Sequence, residues 1–343
     1  MLRRPIVTML VTGFEPGMKR RELFAVLGGA VAMPFAASAQ RALPPVVGFL
    51  GNSSAEEYAY LLAAWREGLV ESGFVEARNL IVEYRWANDR SDRLPSLVAD
   101  LVKRRVAVIM TSGGTPSALA AKAATSTIPI VFAFGSDPVK AGLVPSINKP
   151  GGNVTGVSFI TTALGAKRLE LLRELLPRAG SIGILVNPKN RQAGSILEEL
   201  YEGSRKLGLT SHFVPVDSAA MFESAFATLT EKRVDAILVA PDQLFNAGRR
   251  QLIALASRHA LPAIYIQSQF VVDGGLLSYG PSLTASYRQA GLYVGRILKG
   301  EKTANLPILL PTNFDLAINL KTANALGITV QPTLLARANK VIE

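Results

Sequence analysis

Thr111, Ser112, Gly113, Gly114, Thr115 and Pro116 follow directly on five apolar residues, Val106 to Met110, and run into an alanine-rich segment ending at Ala124. Hydroxyls and glycines between an apolar run and a helix can hold an anion. The first N–H groups of a helix lack internal partners, the macrodipole leaves a partial positive charge there, and glycine lets a ligand approach the backbone. The same residues also fit an ordinary capped helix, with Thr115 as N-cap and Pro116 at the first helical position. Neither G-x-G-x-x-G nor G-x-x-x-x-G-K-[ST] occurs here, so the loop specifies no nucleotide.

Other chemistries find less support. The chain has no cysteine, which excludes a disulfide framework and thiolate metal sites. His212 and His259 stand far apart in sequence with no third partner, no G-x-S-x-G elbow is present, and the acidic residues show no pairing that suggests acid–base work. No metal, no cofactor and no enzymatic activity are therefore expected.

The elements that must position the loop form two copies of one plan. Copy one reads strand (Val46 to Leu50), helix (Leu62, Trp65 and Leu69 at spacings of three and four), strand (Ile81 to Arg85), helix (Leu94 to Lys103), strand (Val106 to Met110), helix (Pro116 to Ala124), strand (Ile128 to Phe132). Copy two follows with strands at Ile182 to Val186, His212 to Val216, Val234 to Val239 and Leu261 to Tyr265, separated by helices. Local words recur: VGFL with IGIL, RRVAVIM with KRVDAIL, IPIVF with LPAIY. Strands alternating with helices imply βαβ units and parallel sheets. The fold expected is α/β, with two doubly wound parallel-sheet lobes. Ligands of such sheets bind beyond the carboxyl ends of the strands. The loops there are 51–54, 111–115 and 135–138 in lobe one, and 187–190, 240–245 and 267–270 in lobe two; facing each other, they line one cleft.

Several segments carry a family likeness: VGFLGN, TSGGTPSALAAK, FAFGSDPV, GGNVTGVS, IGILVNP, LPAIY and PTNFDLAINLKTANALGI. Through them the chain resembles the periplasmic substrate-binding proteins of ABC transporters, in the group called tryptophan/tyrosine-type. The resemblance implies a type I periplasmic binding protein fold, two Rossmann-like lobes joined by three crossing segments, here 152–158, 278–281 and 309–313. Lobe one then comprises 44–156 with 281–309, and lobe two 157–280 with 310–343. A helix from Leu283 to Lys299 returns to lobe one, and the tail from Phe314 rejoins lobe two.

The resemblance further implies a receptor that captures a small carboxylate-bearing ligand, an amino acid or an aromatic or branched acid, and presents it to an ABC permease in the inner membrane. The ligand carboxylate is expected on Ser112, Thr115 and the backbone of Gly113 and Gly114. Asn52, Ser53, Ser136 and Asp137 occupy equivalent loop positions in lobe one, and Asn187 and Asp242 in lobe two, with Asp242 as the partner for an amine. Gln267 and Tyr279 close the pocket; Phe134 and Tyr265 offer ring faces or belong to the core. For Asp137 and Asp242 a turn or helix-capping role fits equally well. An exported two-lobed enzyme and a ligand-sensing domain of a signalling system are the alternative readings.

Residues 1–39 read as an address. Lys19, Arg20 and Arg21 precede a modestly apolar run that ends in Ala37-Ser38-Ala39, a twin-arginine-like export signal with cleavage expected after Ala39. Met18 stands just before the basic pair, so residues 1–17 can stem from a misplaced start. The apolar part is too short to span a bilayer, which needs about 20 residues. The full chain carries a net charge of +11, and the basic excess is spread over helix ends such as Lys103 to Arg105, Lys232-Arg233 and Arg249-Arg250. No nucleic-acid motif accompanies them, so a monomeric periplasmic protein with no nucleic-acid partner is expected.

Overall fold

The computed structural model describes residues 43–159, 164–190 and 192–343; the export signal and its cleavage site lie outside them. In chain order the first part gives β1 (Val46–Gly51), α1 (Ala59–Glu71), β2 (Ile81–Trp86), α2 (Leu94–Lys103), β3 (Val108–Ser112), α3 (Thr115–Ala124), β4 (Ile130–Phe134) and β5 (Val154–Ser158). These five strands form one parallel sheet in the order β2-β1-β3-β4-β5. β1, β3, β4 and β5 are buried almost throughout, as apolar runs must be when helices cover both faces. Alternation divides their side chains between two cores: Val47, Phe49, Val108 and Met110 pack with Leu62, Trp65 and Leu69 of α1, while Leu50 and Ile109 pack with Leu94, Val98 and Leu101 of α2 and Ala118 and Ala121 of α3.

The second part continues with α4 (Gly165–Leu175), β6 (Ser181–Val186), α5 (Ala193–Lys206), β7 (Thr210–Pro215), α6 (Phe222–Glu231), β8 (Ala236–Val239), α7 (Gln243–Ala247), α8 (Arg249–Arg258), β9 (Ala263–Tyr265), α9 (Ser268–Val272) and β10 (Leu277–Pro281). α10 (Leu283–Leu298) packs back on the first sheet, and β11 (Phe314–Asn319), α11 (Leu320–Ala325), α12 (Pro332–Leu335) and β12 (Lys340–Ile342) complete the second. That sheet has seven strands in the order β12-β11-β10-β9-β8-β6-β7.

Three features depart from the sequence expectation. β11 runs antiparallel to β10, Pro281 opposite Phe314, because the chain re-enters this sheet at the same strand end at which β10 leaves it. Segments 152–158 and 278–281, read as plain crossings, fall largely in sheet strands, β5 (Val154–Ser158) and β10 (Leu277–Pro281). β3 ends two residues later than expected, so Thr111 and Ser112 are strand rather than loop, paired with Leu50 and Gly51 on one side and Phe132 and Ala133 on the other.

The duplication reaches the backbone. Arg105 (φ 53°) and Arg233 (φ 52°), the second basic residues of the two matching words, each follow a helix in the left-handed conformation that stops it. The basic runs beside them are solvent-exposed helix ends. The crossing strands are pinned to one another: Ser158 N donates to Leu309 O (2.9 Å), Leu309 N to Gly156 O (3.0 Å), and Ser282 N to Asn313 O (3.0 Å).

Candidate functional site

The carboxyl ends of the two sheets border a cleft of about 560 Å³. On lobe one, β3 turns into α3 through Gly113 (φ 84°) and Gly114 (φ 105°), a backbone path open to glycine. Gly114 is the N-cap and Thr115 already the first helical residue, which corrects the assignment of Thr115 as cap. Among the described residues no side chain caps α3, and Pro116 has no N–H, so the N–H groups of Gly114 and Thr115, both residues that line the cleft, remain the donors at this helix start. A Cβ on Gly113 would stand 2.8 Å from Asn52 Cβ, so the β1 and β3 loops abut. Ser91 Oγ donates to Asn52 Oδ1 (3.0 Å), which leaves the Asn52 NH2 group as a further donor.

Beside these donors stand two carboxylates. Asn88 (φ 52°) and Asp89 (φ 60°) are both left-handed, and Asp89 N donates to Asn52 O (2.7 Å). The buried Ser53 hydroxyl sits between the Glu57 carboxylate, to which it is bonded, and Asp89 Oδ2 at 3.2 Å. Burial and then the charge of Glu57 raise the Asp89 pKa, with Ser53 offsetting part. The site therefore favours a cation here.

The remaining first-lobe wall is aromatic: Tyr58, Tyr60, Phe134, Phe159 and Tyr287 line it. Burial is the main cause that keeps Tyr58 and Tyr287 neutral and pushes Tyr60 up to about 12. Tyr287, on α10, shares a hydrogen bond with the Ser112 hydroxyl beneath Gly113.

On lobe two, Asp242 caps α7, accepting from Leu244 N (2.8 Å), and also accepts from Asn187 Nδ2 (3.0 Å) and Asn190 Nδ2 (2.8 Å). Arg249 pairs with Asp273 (2.7 Å), itself held by Gln269 Nε2 (2.7 Å). Gln243 and Arg249 line the same cleft as Tyr58 and Tyr60.

Residues 60–342 match the family model described as ABC transporter substrate binding protein. The chain belongs to that family. Among solved structures, this substrate-binding protein is 29% identical to a conserved domain protein from Vibrio cholerae, with a TM-score of 0.78 over 87% of this chain and 99% of that one. It is 27% identical to an ABC domain from Streptococcus pneumoniae solved in complex with L-Trp, at the same TM-score and the same coverage. A curated relative, the tyrosine-binding protein of Clostridioides difficile, is 27% identical over 260 residues, 76% of this chain and 74% of the relative. Leucine- and arabinose-binding proteins share the fold at lower identity, which makes it that of the type I periplasmic binding proteins.

Within this substrate-binding protein, Asn52, Gly113, Gly114, Thr115, Ser136, Asp242 and Gln267 line the cleft. Six other residues singled out from the sequence are not among those lining the cleft. Ser112 is fully buried on Tyr287. Ser53 is covered by the carboxylates it bridges. Asp137 accepts from the N–H groups of Val139 and Lys140 in its own turn. Asn187 is spent on Asp242 and Lys189 N. Tyr279 stacks on Phe314 within the sheet, centroids 6.2 Å apart. Tyr265 is core, stacked on Phe270 at 4.4 Å.

Sequence reasoning missed Glu57, Tyr58, Tyr60, Asp89, Gln243, Arg249 and Tyr287. The run Glu56-Glu57-Tyr58-Ala59-Tyr60, one short step past the β1 loop, was the available signal for the first three.

Proposed function

We propose that this receptor captures an α-amino acid with an aromatic side chain in the interlobe cleft, in the periplasm after cleavage following Ala39, and hands it as a monomer to its permease. The observation that carries this reading is the adjacency, on lobe one, of an uncapped helix start and a carboxylate pair. The donors of Gly113 to Thr115 and Asn52 suit a carboxylate, and Glu57 with Asp89 suits an ammonium. The five aromatic rings beside them suit a ring. Two relatives are described as tyrosine-binding and as a complex with L-Trp. Asp242 already accepts three hydrogen bonds and is a less available amine partner than Asp89.

Lobe one is taken as 44–156 with 281–309 and lobe two as 157–280 with 310–343, moving about the three crossings. Ligand touching both lobes favours the closed arrangement, which the permease reads. Calorimetric titration with tyrosine and tryptophan tests the proposal. Saturable binding is expected, and ligand at 100 times its Kd adds about 2.7 kcal/mol of stability, visible as a raised melting temperature. Absence of binding to any aromatic amino acid overturns it.

A pH dependence follows from Asp89. Its folded, ligand-free pKa is raised, and an ammonium beside it favours the ionised form. Ligand binding therefore releases a proton. Affinity is expected to fall as pH drops through the raised Asp89 value and to level off above it. Titrations in buffers of different ionisation enthalpy between about pH 4 and about pH 7 measure the proton count; an affinity flat across that range refutes the assignment.

A further inference from the structure

The two copies differ at the sheet end opposite the cleft. In lobe two, Asp235 stands just before β8, and its Oδ2 accepts from Gly180 N (2.7 Å) and Ser181 N (2.8 Å) at the start of β6. The matching words RRVAVIM and KRVDAIL put Ala107 at that position in lobe one, and VGFL with IGIL aligns Pro45 with Gly180. Instead of a carboxylate bonded to two N–H groups, Pro45 and Ala107 border an open cavity of about 520 Å³. Pro45, Ala107, Pro129 and Asn153, all in its lining, immediately precede β1, β3, β4 and β5, so the cavity lies at the amino end of the first sheet. Ser126, Thr127 and Lys302 line it too.

The free charges on this face are of one sign. Arg78, Lys103, Arg105 and Lys149 lie in the segments leading into β2, β3 and β5, and Lys299 and Lys302 follow α10. All six are exposed, and among the described residues none is paired with a carboxylate. The acids nearby are engaged: Glu76 with Arg66 (2.7 Å), Asp100 with Arg104 (3.1 Å) and Glu301 with Arg296 (2.7 Å). Cations at a helix C-terminus offset its dipole, which accounts for Lys103 and Lys299 but not for Arg78, Lys149 and Lys302, which lie in loops. In lobe two the matching basic pair, Lys232 and Arg233, is flanked by Glu231 and Asp235.

From this contrast we infer that the amino-end face of lobe one rests on an anionic phospholipid surface. One lipid phosphate enters the cavity beside Lys302, Ser126 and Thr127, and neighbouring headgroups meet the cations spread over the face. A membrane fits better than a soluble anion because a small anion in the cavity reaches Lys302 alone, whereas a charged sheet engages all these cations at once. Their attractions to it sum, and each decays over a Debye length of about 8 Å at physiological salt. A receptor that delivers to a permease works beside such a surface. The cleft opens at the other end of the strands, so a docked receptor is held near the permease with its ligand entrance free. The inference rests on membership of the family and not on which ligand fills the cleft.

Co-sedimentation of the purified protein with vesicles tests this, using phosphatidylcholine alone and phosphatidylcholine mixed with phosphatidylglycerol, at low and at physiological salt. Binding to the anionic vesicles only is expected, weakening as salt rises. Lys299→Glu and Lys302→Glu are each expected to weaken it about fivefold or more. Ala107→Asp, which copies the acid of lobe two, is expected to weaken it as well. Lys206→Glu and Lys232→Glu, at the matching end of lobe two, are the controls and should leave it unchanged. All five positions are exposed, and thermal melts verify that the variants fold. Equal binding to neutral vesicles, or none to anionic ones, overturns the inference. Lobe-two variants that weaken binding as much as those in lobe one also overturn it, since net charge alone then explains the attraction. Calorimetric titration with inorganic phosphate covers the soluble partner. Saturable phosphate binding that Lys302→Glu abolishes, in a protein that ignores vesicles, overturns the inference and assigns the cavity to a free anion.

Discussion

Gly113→Ala is expected to weaken ligand binding at least a hundredfold and to lower the melting temperature by several degrees. Two costs add at this position. A non-glycine residue at φ 84° carries a backbone penalty of about 1–2 kcal/mol. The added methyl also stands 2.8 Å from Asn52 Cβ and 2.9 Å from Asn52 N. Asn52 has little room to retreat, because its N–H donates to Ser112 O (3.2 Å) and its carbonyl accepts from Asp89 N (2.7 Å). Any shift that relieves the contact therefore moves Asp89 as well, and both the carboxylate and the ammonium ends of the proposed head-group site lose their geometry together. Misplacing two charge-assisted hydrogen bonds of about 1.5–3 kcal/mol each is enough for a hundredfold loss. Gly114→Ala is the control. Its φ of 105° imposes strain, but the nearest atom to a new Cβ is Pro116 Cδ at 3.5 Å, so it should lose stability without the same loss of affinity. Calorimetry and thermal melting of the two variants check this; a Gly113→Ala protein that binds as the wild type does removes the β3–α3 turn from the site.

The architecture was legible because burial on both faces of a sheet demands apolar runs, and those runs are local: β1, β2, β4 and β6 lie within two residues of where the sequence puts them. β3 was cut short because Thr111 and Ser112 carry the chemistry of a loop. The buried Ser112 hydroxyl finds its partner in Tyr287, 175 positions away, and no local pattern announces that partner. The same limit explains the site. Polar residues just past a strand are easy to find, yet several are consumed where they stand, Asp137 in its turn and Asn187 on Asp242. The groups that reach the cleft include residues at the start of α1 and around α7, and one from α10, a helix that follows the second crossing and packs back on the first sheet. Their spacing records the helix they belong to and not the cavity they share.

Gly291→Val is expected to destabilise the protein by about 3 kcal/mol or more and to disable the site even where the fold survives. α1 and α10 meet through glycines. A Cβ on Gly291 would lie 2.2 Å from Trp65 O, one on Gly68 2.0 Å from Arg288 O, and one on Gly295 2.2 Å from Ser72 Cβ. Glycine inside a helix costs about 1 kcal/mol relative to alanine, so three at one helix contact are kept there by close backbone approach. Overpacking a core typically costs about 1–3 kcal/mol when side chains can adjust. Here the obstacle is a backbone carbonyl, and relief requires the helices to part, which exposes Trp65, Tyr287 and Val294, all buried between them and the sheet. Parting also carries Tyr287 away, one turn before Gly291. The Ser112 hydroxyl, fully buried, then loses its partner at a cost of about 1–3 kcal/mol, and the turn at Gly113 above it loses its support. Denaturant unfolding of Gly291→Val measures the first effect and ligand titration the second. Gly194→Ala separates this from a general sensitivity of helical glycines. It lies in α5 with nothing within 4 Å of a new Cβ, and is expected to leave stability unchanged or raise it by about 0.4–1 kcal/mol. A Gly291→Val protein as stable as Gly194→Ala would mean that α10 does not depend on this contact to place Tyr287.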